Sequence, residues 1–124
     1  MKTKLINLLV LTIFVNTYAQ FGPQQIITNN AVGARSVSST DIDGNGHMDV
    51  LSADDYRVAW YKNTDGLGNF GSQQVIDEFG WIRSLDLADV DLDDDMDVIS
   101  LSQAGHNKIA WWEMTDQGIL LSMK

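Results

Sequence analysis

The sequence predicts an all-β fold made of β-propeller blades: about two four-stranded antiparallel blades, a partial propeller. Three observations point there. The chain repeats itself at a spacing of about 48 residues, each copy breaks into short runs rich in Val, Ile, Tyr, Trp and Ser, and turn residues separate those runs.

The repeat is read by self-comparison. Arg35-Ser36-Val37 returns as Arg83-Ser84-Leu85, Asp41-Ile42-Asp43 as Asp89-Val90-Asp91, and Met48-Asp49-Val50-Leu51-Ser52 as Met96-Asp97-Val98-Ile99-Ser100. Phe21-Gly22-Pro23-Gln24-Gln25-Ile26-Ile27 matches Phe70-Gly71-Ser72-Gln73-Gln74-Val75-Ile76. Val58-Ala59-Trp60-Tyr61 matches Ile109-Ala110-Trp111-Trp112 at a slightly larger offset, which places a small insertion around Gln103 to Asn107. Copy one thus runs over about 21–69 and copy two over about 70–118, within a repeat region of 20–124. Thr64-Asp65 recurs as Thr115-Asp116 near the end of copy two, and the first steps of a third copy follow.

Within copy one the expected strands are Gln24 to Thr28, Arg35 to Thr40, Met48 to Ala53 and Arg57 to Asn63. None shows helical spacing over ten or more residues. Val50-Leu51 and Val98-Ile99 put apolar side chains on both faces of their strands, as a sheet stacked between neighbouring sheets requires. A β-solenoid or a sandwich is the structural alternative.

Composition narrows the function. Among 124 residues there are 8 Lys+Arg against 17 Asp+Glu, a net charge of −9, which argues against nucleic-acid binding because nothing displaces phosphate counterions. The lack of cysteine excludes a disulfide scaffold, a Cys-ligated zinc site and a Cys nucleophile. A hydrophobic fraction of 44% is too high for a disordered acidic chain.

Residues 1–19 read as a secretory signal peptide. Met1 to Lys4 is a short basic start, Leu5 to Val15 is dominated by Leu, Ile, Val and Phe, and Thr17-Tyr18-Ala19 offers a cleavage site after Ala19. The apolar stretch is too short for a membrane span, which needs about 20 residues, and no later segment is apolar enough. The expected location is therefore extracellular, where calcium is plentiful and binds carboxylates.

Two Asp-rich nonamers carry the chemistry: Asp41-Ile42-Asp43-Gly44-Asn45-Gly46-His47-Met48-Asp49 and Asp89-Val90-Asp91-Leu92-Asp93-Asp94-Asp95-Met96-Asp97. Nine of the 17 acidic residues lie in them, so the acidity of the chain is largely local. Oxygen-bearing side chains stand at positions 1, 3, 5 and 9 of each nonamer, namely Asp41, Asp43, Asn45 and Asp49, then Asp89, Asp91, Asp93 and Asp97. Position 7, His47 or Asp95, adds a backbone carbonyl, with the His47 ring pointing outward. Hard oxygen ligands in that number suit Ca²⁺, whereas Mg²⁺ keeps more of its water. The alternative is an Asp/Asn/Gly turn without metal. An EF-hand opens the same way but needs a carboxylate at position 12 and a following helix; here position 12 is Ser52 or Ser100, and a strand follows. Gly44 and Gly46 in the first loop suit a backbone with φ > 0, where the second loop carries Leu92 and Asp94.

The pattern Asp-x-Asp-Gly-Asn-Gly-x-x-Asp-Val at 41–50, followed by Trp-Tyr-Lys-Asn-Thr-Asp-Gly-Leu-Gly-Asn-Phe-Gly at 60–71, resembles the FG-GAP or VCBS-type repeat. That family includes blades of the integrin α-subunit propeller and many secreted bacterial proteins. The resemblance covers essentially all of Phe21 to Asp116 and implies a β-propeller with calcium in loops on one face and a role in adhesion or ligand recognition. Carried over by position, the calcium ligands are the residues named above. The sequence departs from the pattern at Leu92 and Asp94, and it offers about two blades where a closed ring needs several. Two blades leave two sheet faces uncovered, so either the chain belongs to a longer propeller or copies assemble into a ring.

Other residues carry weaker signals. His47 and His106 have no partner at metal spacing. Trp60, Tyr61, Trp111 and Trp112 recur on equivalent strands, some packing between blades and the rest free to stack on sugars. Asp54 and Asp55 sit just after a strand as a pair of carboxylates, but the lack of a counterpart at Ser102 and Gln103 argues against a catalytic pair. Arg35 and Arg83 read as structural partners of nearby carboxylates. The expected function is a secreted, calcium-binding, non-enzymatic repeat module that recognises an extracellular protein or carbohydrate ligand. The alternative is the propeller portion of a secreted polysaccharide-active lyase or hydrolase.

Overall fold

A computed structural model describes residues 22–78, 80–103 and 107–115; the expected signal peptide and His106 lie outside them. The described residues are all-β, in two antiparallel sheets. The first is β1 (Ser36–Thr40), β2 (Asp49–Ala53), β3 (Val58–Tyr61) and β4 (Gln74–Asp77), in that spatial order. The second is β5 (Ile82–Ala88), β6 (Asp97–Ser102) and β7 (Ile109–Trp112). Among the described residues no helix is long and apolar enough to cross a membrane.

Each strand ends where turn chemistry says it must. Between β2 and β3, Asp54 Oδ1 accepts the N–H groups of Tyr56 and Arg57 at 2.7 and 2.8 Å, an Asx turn that reverses the chain in four residues. The equivalent β6–β7 connection is longer, as the repeat offset requires, and is closed by the Ser102 N–H on the Lys108 carbonyl at 2.9 Å. Between β1 and β2, and between β5 and β6, the chain passes through the two Asp-rich loops.

One expected strand is not formed. Gln24 to Thr28 is irregular, whereas its repeat counterpart forms β4 and pairs with β3. Sheet and sequence repeat are therefore out of phase: β4 belongs to copy two by sequence and to the first sheet by hydrogen bonding. A short apolar segment becomes a strand when a neighbour supplies its ladder. Gln24 to Thr28 lies instead beside Ala34 to Val37, Val50 and Tyr61, along a cleft of about 470 Å³.

Register fixes which side chains share a face. On one face of the first sheet stand Leu51, Ala53, Val58 and Trp60; on the other stand Val37, Val50, Ala59 and Tyr61. In the second sheet Leu85, Val98, Ala110 and Trp112 share one face, and Ile99, Leu101, Ile109 and Trp111 the other. The core joins the Leu51 face of the first sheet to the Leu85 face of the second, with Ile42, Ile82 and Met114 filling its margins. Ser36 Oγ crosses the same boundary to accept the Leu85 N–H at 3.2 Å. The sheets thus stack head to tail, non-equivalent faces in contact. Burial of each large aliphatic chain there contributes about 1.5–3 kcal/mol.

Candidate metal centre

Both Asp-rich loops fold the same way. Position 1 closes the turn: Asp41 accepts the N–H groups of Asn45 and Gly46 at 3.0 and 2.7 Å, and Asp89 those of Asp93 and Asp94 at 3.1 and 3.2 Å. Position 9 is fully buried and ties the loop to the sheet. Asp49 accepts from Asn63 N–H at 2.7 Å and Trp60 Nε1 at 3.0 Å; Asp97 accepts from Met114 N–H and Val90 N–H, each at 3.0 Å. With the Ile42 N–H, also on Asp49, these carboxylates hold five residues at the first loop and four at the second.

The backbone conformation is conserved between the loops even where the glycines are not. Gly44 and Gly46 have φ of 66° and 86°; Leu92 and Asp94 adopt 65° and 74°. Loss of the two glycines therefore leaves the second loop's shape intact and stores strain in it, on the order of 1–2 kcal/mol per residue, less for Asp than for Leu.

The carboxylate oxygens of Asp41, Asp43 and Asp49 lie within 4.8 Å of one another, and so do those of Asp89, Asp91 and Asp97. Calcium takes oxygen ligands at about 2.3–2.6 Å, so opposed ligands stand up to about 5 Å apart. The spacing fits that ion. The side chain of Asp43 is only 7% exposed, and its Oδ1 is buried with no hydrogen-bond partner. A buried carboxylate oxygen left unmatched is costly, and a cation would match it. At position 5 the side chains are turned to the backbone: Asn45 Oδ1 accepts the His47 N–H at 2.8 Å and Asp93 Oδ1 the Asp95 N–H at 3.0 Å. The position-7 residues, His47 and Asp95, lie between these and the buried acids.

Sequence reasoning missed three neighbours of the first loop. Lys62 places its ammonium on Asp43 Oδ2. That hydrogen bond, reinforced by the charges of Asp43, Asp49 and Asp41, holds the Lys62 pKa above its ordinary value despite some desolvation. Asn63 is buried, donates from Nδ2 to the Met48 carbonyl at 3.1 Å, and accepts the N–H groups of Gly66 and Gly68 on Oδ1. Trp60 uses its indole N–H on Asp49, as above. All three follow from the register that sets β3 beside the end of the loop, which sequence spacing alone does not reveal. The His47 ring departs from expectation: it is half-buried, with Nδ1 3.3 Å from the Asn63 carbonyl and its carbons over Gly66.

The remaining candidates resolve structurally. Asp54 is buried in its turn, with Arg57 Nε 3.7 Å from Oδ2, and Asp55 pairs with Arg35 at 2.6 Å. Arg83 lacks that partner because Gln103 stands where Asp55 would; its guanidinium lies 6.0 Å from the Trp81 ring instead. Trp60, Tyr61 and Trp112 are buried, which removes them as sugar platforms, and Trp111 is half-buried.

With this geometry in place, comparison with known families gives one match: residues 41–100 match the FG-GAP-like repeat. The match opens at the first residue of the first Asp loop and ends in β6, so it contains both loops. This is an FG-GAP-type repeat protein. Neither the curated proteins nor the solved structures contain a match to it. In this FG-GAP-type chain the two Asp loops join the first two strands of each sheet, at equivalent places in the repeat.

Proposed function

We propose that this FG-GAP-type chain is an exported calcium-binding repeat module acting in adhesion or ligand recognition, with one structural Ca²⁺ in each Asp-rich loop. The observation that carries the calcium assignment is the buried, unpartnered Asp43 Oδ1 inside a three-carboxylate cluster whose spacing recurs in the second loop. In the first loop Asp41, Asp43 and Asp49 would hold the ion with Asn45 and the His47 carbonyl. In the second, Asp89, Asp91 and Asp97 would do so with Asp93 and the Asp95 carbonyl. Calcium neutralises each cluster and locks the turn between two strands, so its role is structural.

Export rests on the basic, apolar and small-residue order of residues 1–19. The ligand would be an extracellular protein or carbohydrate. Among the described residues the exposed aromatics are Tyr56 and Trp81, whose backbones are brought together by the Gly80 N–H on the Tyr56 carbonyl and the Trp81 N–H on the Asp55 carbonyl. Calcium affinity is expected on the order of 10⁻⁴–10⁻³ M, as for other extracellular modules. Thermal melts in millimolar calcium and in EDTA test the assignment: calcium raises the melting temperature, and coincident curves would sink it.

A further inference from the structure

The two copies differ at one place in a way that leaves a cation beside an exposed aromatic ring. In copy one Gly33 has φ of 68°, and a Cβ built on it would run into the Asp55 carboxylate. Asp55 Oδ1 in turn takes two donors of Arg35, Nε at 2.7 Å and Nη2 at 2.6 Å. The arginine at this place in the repeat is therefore set to hold a carboxylate.

In copy two the partners have changed. Trp81 stands at the position of Gly33 and Gln103 at that of Asp55, while Arg83 repeats Arg35. Trp81 keeps the left-handed backbone, with φ of 57°; its N–H is on the Asp55 carbonyl and its own carbonyl accepts the Gln103 N–H. A tryptophan in that conformation is strained, and with 48% of it exposed burial offsets little of the strain. Strain of this kind collects at binding sites. Among the described residues no carboxylate pairs with Arg83, whose guanidinium lies 6.0 Å from the Trp81 ring. β5 is also bulged at Arg83, a distortion that re-aims a side chain.

Arg83 and Gln103 line a cleft of about 480 Å³ with Leu101, Asn107 and Ile109. Leu101 and Ile109 give it exposed apolar walls, and the two side-chain amides add donors and acceptors. The acidic loop of copy two is at the far end of the same strands: Ile82 pairs with Ser102 at one end, and Ala88 with Asp97 at the other. At about 3.3 Å per residue that is about 20 Å, roughly two Debye lengths at physiological ionic strength. The loop's charge is thus largely screened from an anion at Arg83.

We infer that this cleft binds an acidic saccharide, with a uronate carboxylate on Arg83, as Asp55 is on Arg35, and the sugar ring against Trp81. A sugar acid matches each part of the site: a carboxylate for the guanidinium, C–H groups for the indole and the apolar walls, and hydroxyls for the amides. The inference rests on the reading of this chain as a ligand-recognition module and names the ligand class for it. Neither Asp-rich loop takes part.

Ligand-observed NMR titration of the full chain in millimolar calcium tests it, with methyl glucuronide, methyl glucoside and N-acetylglycine as probes. Wild type should bind the glucuronide about tenfold or more tighter than the glucoside, which has a hydroxymethyl in place of the carboxylate. It should prefer the glucuronide by a similar factor over N-acetylglycine, which has the carboxylate without the sugar. Arg83→Gln should erase the preference for glucuronide over glucoside. Gln103→Asp restores the carboxylate of copy one; it should occupy Arg83 from within and weaken the glucuronide by about tenfold. Trp81→Gly, the residue of copy one, should weaken both sugars. All three positions are exposed, so circular dichroism should report an unchanged fold. Glucoside bound as tightly as glucuronide would overturn the inference and leave the ligand-recognition reading standing. N-acetylglycine bound as tightly would assign the cleft to peptide carboxylates and overturn it too. So would a wild-type chain that binds neither sugar, or glucuronide affinity unchanged in Arg83→Gln and Gln103→Asp.

Discussion

The ammonium of Lys62 rests on the carboxylate of Asp43, while the same register position beside the second loop is occupied by Glu113. The first loop thus carries a cation of its own at one acid of its three-carboxylate cluster. The second has an acid at the equivalent place and an extra carboxylate, Asp93, where the first has Asn45. Charge count tunes calcium affinity in oxygen-ligand loops, so the two loops should be unequal.

The second loop is accordingly expected to bind calcium more tightly than the first. Lys62→Gln should tighten the first loop several-fold and leave the second unchanged. Calorimetric titration of wild type and variant separates the two sites, and an unaltered isotherm would count against a competing role for Lys62.

Backbone strain in the second loop is removable. Leu92 is exposed and sits at φ 65°, so Leu92→Gly loses no packing and should gain about 1 kcal/mol. The reverse change tests the same point in the first loop. No atom lies within 4 Å of a Cβ built at Gly46, so Gly46→Ala should cost roughly 1 kcal/mol through φ alone. Urea midpoints at constant slope are the measurement.

Burial pushes the Asp77 carboxyl above its ordinary value of 3.8, assisted by Glu78 and opposed by the Glu78 N–H and Lys108. Its Oδ2 is buried without a hydrogen-bond partner. A raised carboxyl pKa means that the folded state holds the proton more tightly than the unfolded state, so ionisation costs stability as pH rises above 3.8 and through the folded value. Asp77→Asn should therefore raise the melting temperature at neutral pH, with the gain fading as pH falls towards 3.8. Paired melts across that range test the sign.

Much of this was legible in the sequence because it is local chemistry. Asp41 and Asp89 close their loops on nearby N–H groups. β1, β2 and β3 fall inside the runs that composition marks. What was not legible depends on pairing at a distance. Gln24-Gln25-Ile26-Ile27 and Gln73-Gln74-Val75-Ile76 are near-identical, yet only the latter pairs with β3. Arg35 and Arg83 are repeat equivalents, yet one meets Asp55 and the other Trp81. Lys62 and Asn63 reach the first loop through strand register, which spacing does not encode.

The central claim is that each Asp loop is a calcium site. Calcium bound per chain, measured at saturation by equilibrium dialysis, tests it most directly. Wild type should bind two ions, Asp43→Asn and Asp91→Asn each close to one, and the double variant close to none. A wild-type chain that binds no calcium, or a double variant that binds as much as wild type, would contradict the account.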